Sequence, residues 1–406
     1  MSRVISVGTY LPPWTNGSGR VKGPDEDAVT MAVAAGRAAD PDGTAQCVVM
    51  VSRDFPLLEG GNGAVLLAGL SLSADIPVTE VLGGAPAVLD QIGGATPGTL
   101  VVAADDADAV GAAAVLIGAG TAGAEVTPVA RQTRSLPLLA RGADGTRHAY
   151  GDPRLQREIG VRATLARLGL TGTPTVAAVA GAPAAQLGRA FDTSAAAGDP
   201  SVSAAAVIRL LADAIDKRAS GLLVAIEQST VSVAELTPPG GGLWIARDEA
   251  AVRDLPKTRV AAGVGIPISL SAYSRAFDPK LRWEAAVFDE RPGIDAAPQF
   301  PPRLRVDDIG GLADDYRLVP LPRTGTVYTH TTIRIPVPDL PSPYSLAVVQ
   351  LDGSPVRVLL KVTGVPAGET TIGQTGSVVL RKIATRTGIP DYGYAFWPGR
   401  TEGAHA

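Results

Sequence analysis

Few side chains in this sequence could carry nucleophilic or acid–base chemistry. There is one cysteine, Cys47, and there are three histidines, His148, His330 and His405. A thiol nucleophile needs a helix N-terminus or a neighbouring base to lower its pKa. Cys47 instead heads the apolar run CVVMV, without a glycine-rich turn or helix start beside it, and reads as an inert strand cysteine. A lone cysteine also excludes an internal disulfide and a cysteine zinc cluster. His148 precedes YGDP in a loop, His330 alternates within a β-branched run, and His405 lies in the tail. None has a Ser or Cys partner at a recognisable spacing. Surface or strand-packing roles fit His148 and His330, while a Ser-His-Asp set assembled in space stays open. The glycine-rich PPGGGLW (Pro238 to Trp244) and EGGNGA (Glu59 to Ala64) lack the GxxxxGKS/T and GxGxxG forms and read as turns.

The elements that must position these residues follow from pattern. With 406 residues, two domains are expected. Hydrophobic content of 46% and charged content of 19% describe a well-buried globular chain. A net charge of −4 without a Lys/Arg block argues against nucleic-acid binding through a basic face. No charged start with an apolar core opens the chain, and the apolar stretches are too short and Gly-punctuated to span a bilayer, so a cytoplasmic location is expected. Strand and helix signals alternate through the first part: a strand at Val4 to Val7, a helix opened by Asp25-Glu26-Asp27 and running to Ala39, a strand at Cys47 to Val51, a helix at Gly63 to Leu70 and a strand at Leu100 to Ala104. GAAAVLIG (Gly111 to Gly118) and AEVTPVARQ (Ala124 to Gln132) read as an antiparallel pair. The pattern begins again with helices at Pro153 to Leu168 and Ser201 to Lys217, and strands at Thr175 to Val179, Gly221 to Glu227 and Thr230 to Leu236. Two such halves predict a duplicated, layered α/β fold with mixed sheets. The Pro-rich, charged stretch 285–315 reads as an extended linker. Beyond it, strand-like runs such as GTVYTHTTIRIP, with an Asp352-Gly353-Ser354-Pro355 turn, predict a small closed β-barrel.

Several motifs carry a resemblance. GTYLPP (Gly8 to Pro13), PDEDAVTMAVAAGRAA (Pro24 to Ala39), PLLEGGNGAVLLAGL (Pro56 to Leu70), GAAAVLIG and FDPKLRWEAAVFDE (Phe277 to Glu290) resemble the hydroxymethylglutaryl-CoA synthase branch of the thiolase superfamily. GTVYTHTTIRIP, PYSLAVVQLDGSPVRVLLKVTG, IGQTGSVVL and YGYAFWP resemble the acyl-CoA-associated OB-fold family, which often accompanies thiolases. The resemblance spans Val4 to Pro398. It implies a thiolase-like αβαβα domain over 1–284, the linker over 285–315, an OB barrel over 316–400 and a tail over 401–406.

The same resemblance implies a catalytic set that this sequence lacks. The family's nucleophilic cysteine begins a helix after a short strand; the matching EVLGGAPAVLDQIG has Pro86 there, where proline suits a helix start. Arg53 stands near the position of the general acid/base glutamate, Ala180 at that of the histidine and Asp199 at that of the asparagine. OB domains of this kind usually carry a four-cysteine zinc ribbon upstream; DDIGGLADDYRLVPLPRT has no cysteine, so no structural zinc is expected. The linker must then be held by proline stiffness and by residues such as Tyr316 and Leu318. Tyr394, Phe396 and Trp397 should close the barrel core or its seam. The expected function is a non-catalytic subunit that scaffolds a separate thiolase of acetyl-CoA acetyltransferase type, as a homodimer or hetero-oligomer, and helps bind the coenzyme A thioester. Arg334, Arg357 and Lys361 are candidate contacts to its phosphates, against the plainer reading of solvated strand faces. The alternatives are a cysteine-independent carbon–carbon lyase or acyltransferase acting by itself, with Tyr150 or Tyr273 as base, and an acyl-CoA-binding homodimer without a partner enzyme.

Overall fold

The computed structural model describes residues 1–58, 61–134, 139–142, 144, 146–265, 277–386 and 388–400. Tyr273, His405, part of EGGNGA and the tail 401–406 lie outside the described residues. The chain begins with β1 (Ser2–Leu11), β2 (Trp14–Thr15), β3 (Arg20–Val21), α1 (Ala28–Ala39), β4 (Cys47–Ser52) and α2 (Asn62–Leu70). It continues with β5 (Val78–Leu82), α3 (Ala85–Gly94), β6 (Thr99–Asp105), β7 (Gly111–Gly118) and β8 (Ala124–Thr133). A hairpin of β9 (Leu139–Arg141) and β10 (Arg147–Ala149) precedes a π-helical turn, Leu155–Arg162, which runs into α4 (Ala163–Leu165). Then come β11 (Val176–Ala180), β12 (Ala197–Asp199), α5 (Ala206–Asp216), β13 (Gly221–Glu227), β14 (Thr230–Thr237), β15 (Trp244–Glu249) and β16 (Arg253–Asp254).

Two compact units result. The first comprises Met1–Pro12, Met31–Gly63 and Asp75–Ala250; the second comprises Pro13–Thr30, Ala64–Ala74 and the chain from Ala251 onward. Among its described residues the first unit has an eleven-stranded mixed sheet, ordered β12-β11-β13-β14-β8-β1-β7-β6-β4-β5, with β15 added parallel to β1. β6 is buried along its whole length and β7 over Gly111–Ile117, which is why their sequences are nearly continuous runs of Ala, Val and Leu rather than alternating ones. β7 and β8 do not pair with each other. Each pairs antiparallel with β1, which lies between them, so the expectation of a hairpin there is corrected. The expected helix over 153–168 is largely the π-helical turn, and the expected helix at 201 begins only at Ala206.

α3 and α5 share one apolar core with Val49, Val101 and Ala113 from one part of the sheet and Ala178, Leu223 and Ala234 from another. The opposite face of β11, β13 and β14 is covered by Val161 and Leu165 of the π-helical turn and α4. Along these strands alternate residues enter the two cores, as period-2 geometry requires. The mixed, layered α/β body is therefore present.

In the second unit, β17 (Glu284–Val287) pairs with β20 (Arg317–Pro320), and β18 (Arg305–Val306) pairs with β19 (Leu312–Ala313). Ala286, Phe288, Ile294 and Ala313 form a small core with Tyr316, whose ring lies 5.3 Å from that of Phe288. The stretch 285–315 is thus folded rather than an extended connector. Its apolar residues are too sparse to show a period, and its Pro and Gly residues turn the chain back on itself. Tyr316 packs as expected, whereas Leu318 is exposed.

β21 (Thr324–Ile333), β22 (Tyr344–Leu351), β23 (Arg357–Val362), β24 (Thr375–Arg386) and β25 (Ile389–Pro398) close a barrel in the order β21-β22-β23-β25-β24. Gly353, at φ 64°, makes the expected turn between β22 and β23. The 1-2-3-5-4 order gives the small Greek-key barrel that the sequence predicts. Phe396 and Trp397 are buried, and Tyr394 sits in a seam where its hydroxyl donates to the Leu281 carbonyl at 2.8 Å.

Segments 13–30 and 64–74 are built into this unit. Arg323 and Arg282 donate to Ala68 O and Leu72 O, carbonyls at the C-terminal end of α2. Such carbonyls lack intrahelical partners, and cations there are favoured by the helix dipole. The acids expected in the first turn of α1 precede it and are buried. Glu26 pairs with Arg381 at 3.5 Å, their side chains 1% and 2% exposed. Asp27 Oδ2 accepts from the Tyr392 hydroxyl at 2.7 Å, and Asp25 O accepts from Lys382 N at 2.9 Å.

Candidate functional site

The carboxyl ends of parallel strands are the usual place for a ligand in an open α/β sheet. In the first unit, β4 runs parallel to β5 and β6, and β11 runs parallel to β12 and β13. Arg53 directly follows β4, Asp105 ends β6, Ala180 ends β11, Asp199 ends β12 and Glu227 ends β13. α3 begins just after β5.

Arg53 links these strand ends. Its Nε donates to Glu227 Oε1 at 3.0 Å, and its Nη1 donates to Val202 O at 3.2 Å and to Asp108 Oδ2 at 3.4 Å. Its backbone N–H donates to Asp105 Oδ1 at 2.9 Å, while Ala204 N donates to Asp105 Oδ2 at 2.6 Å. Burial pulls the Arg53 pKa down, but Glu227 and Asp105 more than offset this and hold it above its ordinary value. Burial pushes Asp105 up to about 6, against the backbone donors and Arg53 that favour its ionised form.

The other end of Glu227 meets α3. Glu227 Oε2 lies against Gly84, the N-cap of α3, so closely that a Cβ at position 84 would overlap it. A larger residue there would have to displace that carboxylate. Ala85 and Pro86 begin the helix, with proline in its first turn, where a missing N–H costs nothing. The carboxylate therefore stands at the positive end of α3, a favourable place for an anion.

Asp199 is also engaged. It accepts from Ser201 N at 2.9 Å and pairs with Arg209 at 3.4 Å, and it lies in register with Ala180. Ser203 Oγ is buried without a hydrogen-bond partner among the described residues. Arg53, Pro86 and Asp199 thus belong to one neighbourhood, joined by Glu227, Gly84 and the 199–204 turn. Ala180 contributes only a buried methyl.

Cys47 is half-buried at the opposite end of β4 from Arg53. Six positions along the strand separate them by about 20 Å. His148 is exposed on β10, Tyr150 is 63% exposed just beyond it, and His330 lies in β21 with Nδ1 buried and unpartnered among the described residues. Among the described residues, no group of three His, Cys, Asp or Glu could hold a metal ion, and no helix is long and apolar enough to cross a membrane.

The candidate phosphate contacts lie in the second unit. Arg357 is exposed and stacks over Tyr328 with 3.9 Å to the ring centroid. Lys361 lies 5.6 Å from the Tyr344 ring centroid, and burial lowers its pKa although Asp25 acts in the other direction. Arg334 is exposed just past β21. Sequence reading missed Asp105 and Glu227. Their signal was the acid that closes each apolar run, LVVAAD and LLVAIE.

Residues 318–381 match the family model described as ChsH2, C-terminal OB-fold domain. No curated protein matches the chain. Among solved structures, the chain is similar to 3-oxoacyl-[acyl-carrier-protein] synthase III from Aquifex aeolicus VF5, at 15% identity, covering 58% of this chain and 100% of that one with a TM-score of 0.47. It is also similar to the corresponding synthase, FabH, from Pseudomonas aeruginosa PAO1, at 16% identity over 59% and 98% of the two chains with a TM-score of 0.44. Cerulenin-bound OleA from Xanthomonas campestris gives 14% identity over 58% and 96%, with a TM-score of 0.48.

Proposed function

We propose that this chain is a non-catalytic subunit in which a thiolase-like body and an OB barrel support a separate thiolase of acetyl-CoA acetyltransferase type and help it bind acyl-CoA. The observation that carries this reading is the head of α3. Gly84, Ala85 and Pro86 supply no nucleophile, and the Glu227 carboxylate held by Arg53 lies against Gly84 at the head of that helix. An acyl group brought there would meet a fixed negative charge rather than a donor. Strand β5 supports assembly: it ends the sheet order, and its Leu82 is 67% exposed. An open edge of this kind is suited to pairing with another chain. The domain assignment belongs to the same proposal, with 1–284 and 316–400 as the thiolase-like and OB parts.

The test is acetoacetyl-CoA thiolysis by the purified chain and by the complex recovered from its native host. The expected result is activity only when a thiolase co-purifies, unchanged by Cys47→Ala. A second reading, a cysteine-independent carbon–carbon lyase or lone acyltransferase, draws on Asp105, a carboxyl whose pKa burial raises to about 6. Acyl-CoA cleavage by the lone chain that is lost in Asp105→Asn would favour it.

A further inference from the structure

The short hairpin of β18 and β19 carries large aliphatic side chains on its outer face. Val306 and Leu312 are register partners, so their side chains share one face, and they are 62% and 58% exposed. Leu304, two residues before Val306, is exposed as well. The other face is the packed one. Ala313 enters the small core with Phe288 and Ile294, and its register partner Arg305 donates to Gln299 Oε1. The turn between the strands is tied down by hydrogen bonds. Asp307 Oδ1 accepts from Ile309 N at 3.1 Å and from Gly311 N at 2.6 Å, and Asp307 N donates to Gly311 O at 2.9 Å. Gly310, at φ 84°, completes the turn. Asp308 N donates to Pro292 O at 3.1 Å and joins the tip to the neighbouring 291–294 turn. Ile309 therefore stands at a fixed tip, 90% exposed.

Exposed aliphatics scattered singly need no explanation, but Leu304, Val306, Ile309 and Leu312 are gathered on one hairpin. Their surroundings are acidic. Asp308 and Asp314 are exposed on the hairpin itself, and Asp289, Glu290 and Asp295 are exposed around the turn to which the tip is bonded. The cation of that turn, Arg291, is already paired with Asp315 at 2.6 Å. Such a collar repels nucleic acid and anionic lipid, while the aliphatic centre gains nothing from water. The complementary occupant is a protein surface, apolar at its middle and rimmed by Lys or Arg. A tip already held in one conformation loses little entropy on docking.

We propose that the β18–β19 hairpin docks the partner thiolase, with Ile309 entering an apolar groove on that enzyme and the acidic collar meeting cations at the groove's rim. The inference rests on the partner half of the reading above and names the surface it uses. The probe is the thiolase recovered with the wild-type chain from its host, identified by mass spectrometry and purified again. It is titrated calorimetrically with the full chain and with Ile309→Asp, Val306→Ser, Asp308→Lys and Leu359→Asp. Thermal unfolding checks that each variant is folded. Ile309→Asp is expected to weaken binding about 30-fold or more. Asp308→Lys should weaken it less and flatten its dependence on salt. Leu359→Asp, at an exposed aliphatic of the barrel strand β23, should bind as the wild type does. Wild-type affinity in both Ile309→Asp and Val306→Ser would overturn this docking surface and leave the partner reading standing. A wild-type chain with which no thiolase co-purifies would overturn the partner reading, and this inference with it. A lone chain that light scattering shows as a dimer, and that Ile309→Asp makes a monomer, would also overturn the assignment, giving the hairpin to a second copy.

Discussion

At the scale of single residues, the Arg53 cluster sets two expectations. Arg53→Ala would leave Glu227 facing the head of α3 without its cation. Because both side chains keep some exposure, the loss should be about 2–3 kcal/mol, below that of a fully buried pair. An Arg53→Met, Glu227→Met double variant should regain most of it, and urea unfolding of the three proteins checks this. Asp105 gives a pH signature. Its carboxyl is raised from the ordinary 3.8 to about 6, so between these values the folded chain holds more protons than the unfolded one. Its contribution to stability is therefore full below about pH 4 and is lost as pH rises through 6, a change of roughly 3 kcal/mol. The stability difference between wild type and Asp105→Asn should shrink by that order from pH 4 to pH 7. A difference that stays constant would contradict the burial argument.

At the scale of elements, the buried pairs before α1 show how far local sequence can be read. Asp25-Glu26-Asp27 ahead of an apolar run has the look of a helix start, and α1 does follow. What the acids do could not be read locally, because their partners Arg381, Lys382 and Tyr392 come from strands at the far end of the chain. Glu26, read as an acid of the first helical turn, is instead one half of a buried ion pair. Glu26→Ala should cost about 3–5 kcal/mol by removing the carboxylate that faces the buried Arg381, whereas Tyr392→Phe should cost about 1–2 kcal/mol for one hydrogen bond to a charged acceptor. Equal and small effects in chemical denaturation would contradict this ranking. The same limit explains β7 and β8. Adjacent strands in sequence usually pair, but β1 takes the place between them, and nothing within 111–133 signals that insertion. The barrel was legible because its alternation, its Asp-Gly turn and its strand spacing are all local. The site was half legible: Pro86 and Arg53 could be singled out locally, while Glu227, which lies against the head of α3, is brought there only by the pairing of distant strands.

At the scale of the whole molecule, the second unit is not a module that begins near residue 285. It includes 13–30 and 64–74, so a chain truncated after 284 would lose Arg381 and Tyr392, which meet Glu26 and Asp27, and Arg323, which meets the α2 terminus. Such a fragment is expected to aggregate or to unfold well below the full chain, as circular dichroism and gel filtration would show; a stable, monodisperse fragment would contradict the description. The central claim, that the thiolase-like body supports catalysis without performing it, is tested most directly by acetoacetyl-CoA thiolysis assayed on the recombinant chain alone and on the complex purified from its host. The account predicts no turnover by the lone chain and turnover by the complex when a thiolase is present. Turnover by the lone chain at a rate that Cys47→Ala or Asp105→Asn abolishes would contradict it.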